Sequence, residues 1–485
     1  MRLLASILFL IVGVSFLAAQ EAPLPSTPKR VARDRYLTVN EPLRTEPLRP
    51  VPIPKMAPAL HTPVFGQTDS PLAWTFDQVI STMLTSDPKL RIGKEDIRQA
   101  KAEYWTSSLL PNPELTIEGG AFPFRPFRNE EGYYVGGPPE LNFQVEFPID
   151  WFLFAKRKAA MNSAKWEVCQ AQAEYADLIR ERITETATLF YDVLEAKALV
   201  DVVRQNRDLL MQLEKVAKDG VEAGGMPAVE WKRISLDLLQ CRQELLETEK
   251  ELDILKAQLR AQFGRADHDP EFDITGDLDA PAVMEPMPLE EAFLMAQQNR
   301  PDLRALRMQV AKSKADVHAE NRNAYPEVTA FAGAGREYSK LAGEDKDYNN
   351  WGIGLTVTVP LFDRNQGNRA KARSALAQSN HQYRAGIVDL RAEIIEADRT
   401  LRTAHQQVHT FATEEVRLSK EVRDIMIEGF KAGGRPLIDV LDAERSFRET
   451  YRLFITHRAD YWRALYLYNS AVGINSVNDM QPATN

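Results

Sequence analysis

Along most of the chain apolar residues recur every third or fourth position, and in four short places they switch to strict alternation. The longest helical pattern runs from about 154 to 219 without proline or glycine, striped by Ile179, Ile183, Ala187, Phe190, Leu194 and Ala198 and continued by Leu209, Leu213 and Val216. That spacing predicts one amphipathic helix, ~100 Å long at about 1.5 Å per residue. Gly224, Gly225 and Pro227 then turn the chain into a returning helix over 228–263, because glycine stops helices and proline suits a first turn. Upstream, a single helix is expected over 76–110, ended by Pro111 and Pro113. Alternation predicts strands over 114–121 and 141–147, and again over 328–335 and 351–359. In the last of these Trp351, Ile353, Leu355, Val357 and Val359 take one face, and Gly352, Gly354, Thr356 and Thr358 the other.

The pattern is duplicated. A shift of 213 lays Pro88, Leu90 and Arg91 on Pro301, Leu303 and Arg304, and Pro113 to Thr116 on Pro326 to Thr329. A shift of 212 aligns Phe147, Pro148 and Arg157 with Val359, Pro360 and Arg369. A shift of 209 aligns the tip from Ala223 to Pro227 with Ala432 to Pro436. Two copies of one large unit, 72–264 and 288–473 joined by a connector at 265–287, describe this better than a solenoid. The second unit therefore has helices over 289–323, 367–431 and 437–473. Each outgoing rod is twice as long as its returning helix, so the expectation is end-to-end stacking: 228–263 with 289–323, and 437–473 with 76–110. That gives a closed set of four rod-length columns. The fold class is mainly α with a small β part.

Strands of 8 or 9 residues approach the ~9–11 that a tilted strand needs to cross a bilayer. The loop at 122–140 is rich in proline, glycine and aromatics and that at 336–350 in acids, as long outer loops of a barrel are. Four strands are too few to close, since single-chain barrels begin at about 8. Either the chain oligomerises or the strands do not span.

Residues 1–20 read as a cleaved secretory signal: Arg2, an apolar run from Leu3 to Leu17 too short for a membrane span, then Ala18 and Ala19. No cysteine follows, so no lipid anchor is expected. Residues 21–71 hold eleven prolines and little apolar periodicity, a disordered leader, and 474–485 form a tail. Cys169 and Cys241 lie far apart within helices, which disfavours a disulfide framework or zinc site. The formal charge of −9 excludes a basic nucleic-acid binder.

The duplicated order of helix, strand pair, long helix, glycine tip and returning helix resembles the TolC-like outer-membrane efflux family, across about 72–473. The run from Lys431 through Gly433, Gly434, Arg435, Pro436 and Asp439 to Asp442 looks like that family's tip stretch ending Asp-Val-Leu-Asp. The first tip, Gly224 to Glu230, looks more like the metal-efflux, CzcC-like branch. The resemblance implies a homotrimer in outer-membrane lipid, with a twelve-stranded transmembrane β-barrel above a trimeric α-barrel in the periplasm. It implies a passive duct whose tips (Gly224, Gly225, Pro227, Gly433, Gly434, Arg435, Pro436) meet a periplasmic adaptor, or membrane fusion protein, and an inner-membrane efflux pump. It also places the channel constriction at Asp439 and Asp442. Three positions apart at a helix start, these share a face, and six carboxylates around a threefold mouth would favour cations; the plainer reading is a solvated first turn whose acids suit the helix dipole. Arg435 is either a clasp to an acid on a neighbouring column or an exposed turn arginine.

His405 and His409 have the i, i+4 spacing of a metal pair but lack further ligands nearby, so no metal or cofactor is expected. Gly333, Gly335, Gly352 and Gly354 sit inside strands, not phosphate loops. No catalytic motif occurs. The competing readings are a periplasmic helical-hairpin adaptor or scaffold without a pore, and an enzyme or metal-storage protein with a helical core.

Overall fold

The computed structural model describes residues 73–120, 130–132, 139–224, 226–265, 272–279, 287–342, 345–431 and 434–474. The expected signal and leader, nearly all of the tail, and most of the 122–140 loop lie outside these. In chain order the elements are α1 (Phe76–Ser86), α2 (Pro88–Ser108), β1 (Glu114–Gly120), β2 (Glu140–Pro148), the single turn α3 (Asp150–Leu153), α4 (Lys156–Glu222) and α5 (Ala228–Gln262). The second unit follows with α6 (Leu289–Asn299), α7 (Pro301–Asn323), β3 (Val328–Glu337), β4 (Tyr348–Val357), α8 (Gln366–Gln406), a π-helical turn (Gln407–Ala412), α9 (Thr413–Lys431) and α10 (Leu437–Val472).

The helices expected over 76–110 and 289–323 are each broken in two. Proline lacks an amide hydrogen and its ring pushes the preceding residue out of the helical region. Asp87 accordingly sits at φ −56°, ψ 122° and Arg300 at φ −66°, ψ 125°, each ending one helix and capping the next. The second outgoing rod is also interrupted, by the π-turn between α8 and α9.

The stacking differs from expectation. Gly264, at φ +70°, ends α5 against Pro88, so α5 continues the column of α2 in its own unit. Gly473, at φ +74°, ends α10 against Arg300, so α10 continues α7. Only glycine adopts this left-handed cap without strain. Helix α4 packs against α2 and α5 on one side and α7 and α10 on the other; α8 and α9 pack beyond α7 and α10. No substantial α2–α8 packing exists among the described residues, so the four columns form an open row within one chain, not a closed set. Equivalent arginines fasten each outgoing helix at its start: Arg157 Nε donates to Ser108 O at 2.9 Å and Arg369 Nε to Asn321 Oδ1 at 2.8 Å.

Both flanks of α4 are buried by its stripes. Ile183, Phe190 and Leu194 pack with Val79, Met83, Leu259 and Phe263. Val203 and Leu210 pack with Ile234, Leu238, Leu437 and Leu441 nearer the tips. In the second unit Leu390, Ile394 and Leu401 meet Ala296, Leu303 and Tyr461. Part of the connector docks as well: Ile274 bridges Trp74 in parallel, and Asp273 pairs with Lys197 at 2.6 Å and Lys256 at 3.1 Å.

The four strands form one antiparallel sheet in the order β1-β2-β3-β4. Register places Ile117 beside Phe143, Phe143 beside Ala334, and Ala334 beside Trp351, so one face is apolar across all four strands. The opposite face carries Glu118, Asn142, Gly335 and Asn350 in a row.

Gly264→Ala is expected to destabilise the protein more than Gly224→Ala. Both sit in the left-handed region, at a cost of ~1–2 kcal/mol for alanine, but a Cβ at Gly264 would lie 3.0 Å from Pro88 Cγ while Gly224 faces open space. Overpacking adds ~1–3 kcal/mol at the first site alone. Urea unfolding of the purified variants, followed by far-UV circular dichroism, measures the difference.

Candidate functional site

Three features stand out: the paired hairpin tips, a charged groove halfway along α4, and the outward face of the sheet. The tips are built alike. A Cβ at Gly220 would lie 3.4 Å from Met226 Cβ, and one at Gly429 2.9 Å from Arg435 Cγ, so in each unit the residue before the tip proline folds over the last turn of the outgoing helix. Pro227 and Pro436 then cap α5 and α10 in extended conformation. Gly224 takes φ +73°, and Gly434 N–H closes its turn on Gly429 O at 2.9 Å; Gly225 and Gly433 lie outside the described residues.

Beyond Pro436, Leu437, Val440 and Leu441 are buried. Their spacing turns Asp439 and Asp442 away from the core: Asp439 is half-buried and Asp442 exposed. Among the described residues of this chain Arg435 pairs within its own tip. Its Nη1 lies 3.7 Å from Asp439 Oδ2 in its own tip. Asp442 has no hydrogen bond or ion pair among the described residues, which leaves it free to meet solvent and ions. Because Leu437 and Leu441 pack with Ile234 and Leu238 of the first hairpin, the two tips form one packed unit.

One group near the tip escaped the sequence reading. Glu444 is buried, with Arg423 Nε 3.9 Å away, and lines a 260 Å³ cavity with Asn206 and Cys241. Burial pushes its carboxyl above the usual range despite the opposing pull of Arg423 and Arg448. Nothing in the sequence separates this acid from the other helix acids around it.

The groove, of 970 Å³, lies between α4, α5, α8 and the α6–α7 kink. Asp177, Glu181 and Glu185 line it at i, i+4, i+8, joined by Asp192 and Glu393 from farther along the chain. Arg180 is tied to Asp177 at 2.8 Å and to Ser470 at 2.7 Å. The acidic spacing was legible; that it faces a shared groove depends on α8 and α7 being beside α4.

His405 and His409 have ring centroids 4.5 Å apart, with His409 in the π-turn. Among the described residues no group of three or more His, Cys, Asp or Glu is placed to hold a metal ion. Two of the strand glycines serve packing: a Cβ at Gly354 would fall 2.4 Å from the ring of Phe331, and one at Gly335 2.1 Å from Asn142 Oδ1, whereas Gly352 faces open space.

On the sheet, Trp351 is 79% exposed and Ile353 75%, with Leu115, Ile117, Phe143 and Val145 also open on the same face. Among the described residues β1 and β4 each keep an unpaired edge. An apolar sheet face of this extent marks an interaction surface, and free edges call for further strands. No described helix is long and apolar enough to cross a membrane. The small sheet with its apolar outer face is thus continued by rod-length helical columns.

The chain belongs to the outer membrane efflux protein family, whose sequence model matches residues 79–265 and 294–466. It is 27% identical to the cobalt-zinc-cadmium resistance protein CzcC of Cupriavidus metallidurans over 378 residues, 77% of this chain and 83% of that protein. It is 23% identical to the outer membrane protein TolC of Vibrio cholerae over 338 residues, 66% and 74% of the two chains. Its fold is shared with the CusC channel (TM-score 0.67, 16% identity, covering 82% of this chain and 92% of that one). The open-state MtrE channel of Neisseria gonorrhoeae is similar too (TM-score 0.64, 15% identity, 82% and 88% covered). The protein is thus an outer membrane efflux protein and not an enzyme, which sets aside the adaptor and metal-storage readings.

Glu444→Gln is expected to raise the urea midpoint at pH 7.5 and to leave it unchanged at pH 4. A carboxyl whose folded pKa is raised contributes stability at low pH that is lost as pH climbs through that raised value. An equal shift at both pH values would show that burial does not govern this carboxyl.

Proposed function

We propose that three copies close their sheets edge to edge into a twelve-stranded barrel and their rows of columns into a continuous helical tunnel, a passive duct from periplasm to exterior. The observation that carries this reading is the four-stranded sheet itself, apolar on one face and unpaired at both edges. In a bilayer such edges are tolerated only in a closed barrel. The row of columns is open at the same two ends, and its terminal helices keep apolar residues exposed: Ile92 and Trp105 on α2, Val388 and Ile395 on α8. One act of closure would satisfy sheet edges and helix flanks together.

The duct does no chemistry; its cargo moves by the work of an inner-membrane pump, handed on by a periplasmic adaptor that meets the tips. Gly224, Gly225, Pro227, Gly433, Gly434, Arg435 and Pro436 form that contact. Asp439 and Asp442, repeated threefold, form the constriction. A ring of carboxylates at a narrow mouth attracts cations and repels anions before any contact is made. The cargo is metal ions or small toxic molecules; the former is supported by the likeness to CzcC, a cobalt-zinc-cadmium resistance protein. The chain reaches the outer membrane through a cleaved signal.

Single-channel recording in planar bilayers tests the constriction. Wild type is expected to give a small cation-selective conductance, and Asp439→Ala/Asp442→Ala a larger one with weaker selectivity. Unchanged selectivity in the double variant would remove these carboxylates from the gate, and failure of folded wild-type protein to insert would remove the pore.

A further inference from the structure

We propose that the two units carry a pairing code, reversed in both charge and size, by which the kink face of each half-helix, Asp87 and Gly93 in one and Arg300 and Leu306 in the other, fits only the outgoing helix of its own unit. The shift of 213 that lays Pro88 on Pro301 also lays Asp87 on Arg300 and Gly93 on Leu306. Along the outgoing helices a shift of 211 superposes Ile183 on Ile394 and Phe190 on Leu401, all four buried. The same shift lays Arg182 on Glu393 and Tyr175 on Gly386.

In the first unit Asp87 Oδ2 meets Arg182 Nε at 2.6 Å, acid on the kink and base on the rod. In the second, Arg300 Nη1 meets Glu393 Oε2 at 2.7 Å, base on the kink and acid on the rod. Size follows the same reversal. A Cβ at Gly93 on α2 would lie 2.9 Å from both Tyr175 Cδ2 and Leu178 Cδ2 on α4, so the first rod supplies the knob. A Cβ at Gly386 on α8 would lie 2.7 Å from Leu306 Cδ1 on α7, so the second kinked helix supplies it.

Discrimination is needed because the duplicated rods present matching buried stripes, and hydrophobic burial alone does not distinguish them. If α2 docked by the same face on α8, Asp87 would oppose Glu393 and Gly93 would oppose Gly386, leaving like charges and a void. If α7 docked so on α4, Arg300 would oppose Arg182 and Leu306 would collide with Tyr175. Like-charge contact, cavity and overpacking each penalise the wrong partner. The first wrong docking is the one that would seal a single chain into a closed bundle, so the code keeps the row open; its link to assembly rests on the trimeric reading above.

The test refolds the full chain in detergent and measures, by light scattering, the fraction reaching whatever assembly wild type forms. The wild-type assembly size by itself tests the trimer, independently of the code. Asp87→Arg/Arg182→Glu retains a local pair but gives both units one polarity. It is expected to keep its helix content while its assembled fraction falls at least ~tenfold, the factor set by ~1.4 kcal/mol. Adding Arg300→Asp, Asp302→Asn and Glu393→Arg restores opposition and is expected to recover most of the loss. Wild-type assembly of the first variant, or no recovery in the second, overturns the proposal. Gly93→Leu/Tyr175→Gly/Leu178→Ala, which clears both side chains that face Gly93, poses the same question without altering a charge. It too should assemble poorly with helix content intact, and assembly at the wild-type level would overturn the size half of the code.

Discussion

One 67-residue helix, α4, gathers the helices of both units on its two flanks, which it must bury along its length. A rod of ~100 Å cannot be covered by one partner of half that length, so each flank takes two helices in succession. The first flank is covered by α2 and α5 from the same unit and the second by α7 and α10 from the next. The mean apolar content of α4 is modest, and its stability comes from these stripes rather than from helix propensity.

Building one column from two helices creates a junction that needs its own solution. A left-handed glycine ends one helix at Gly264 or Gly473, and a proline kink starts the other at Pro88 or Pro301. The residue before each proline is drawn out of the helical region and turned into the packed interior, where its side chain has to be polar, capped and paired. Asp87 satisfies this by accepting from Lys89 N at 2.7 Å and pairing with Arg182; Arg300 satisfies it by pairing with Asp302 and Glu393. The junction that fixes the column is therefore also where the two units differ in charge.

Electrostatics and hydrophobicity are divided along the molecule. The sheet exposes apolar side chains where a soluble protein would show polar ones, whereas the helical columns line a groove with acids and end at a tip with two more. This division between an apolar sheet face and charged helical columns is what the proposed conduit rests on.

The sequence by itself determined the duplication, the four strands and their outward faces, the length of the rods, and the tips with Gly224, Pro227, Gly434, Pro436, Asp439 and Asp442, because each is written in local periodicity or in turn residues. It did not determine that Pro88 and Pro301 lie within helical stretches as kinks, since the apolar stripe continues through them. Nor did it decide which half-helix stacks on which: all four have similar lengths, and only the fit of Gly264 on Pro88 and Gly473 on Arg300 selects the partner. The burial of Glu444, the acidic groove and the open ends of the row were decided by tertiary structure alone, because burial and charge neighbours arise from residues far apart in the chain. Periodicity names the face a residue points to, but not what waits on the other side.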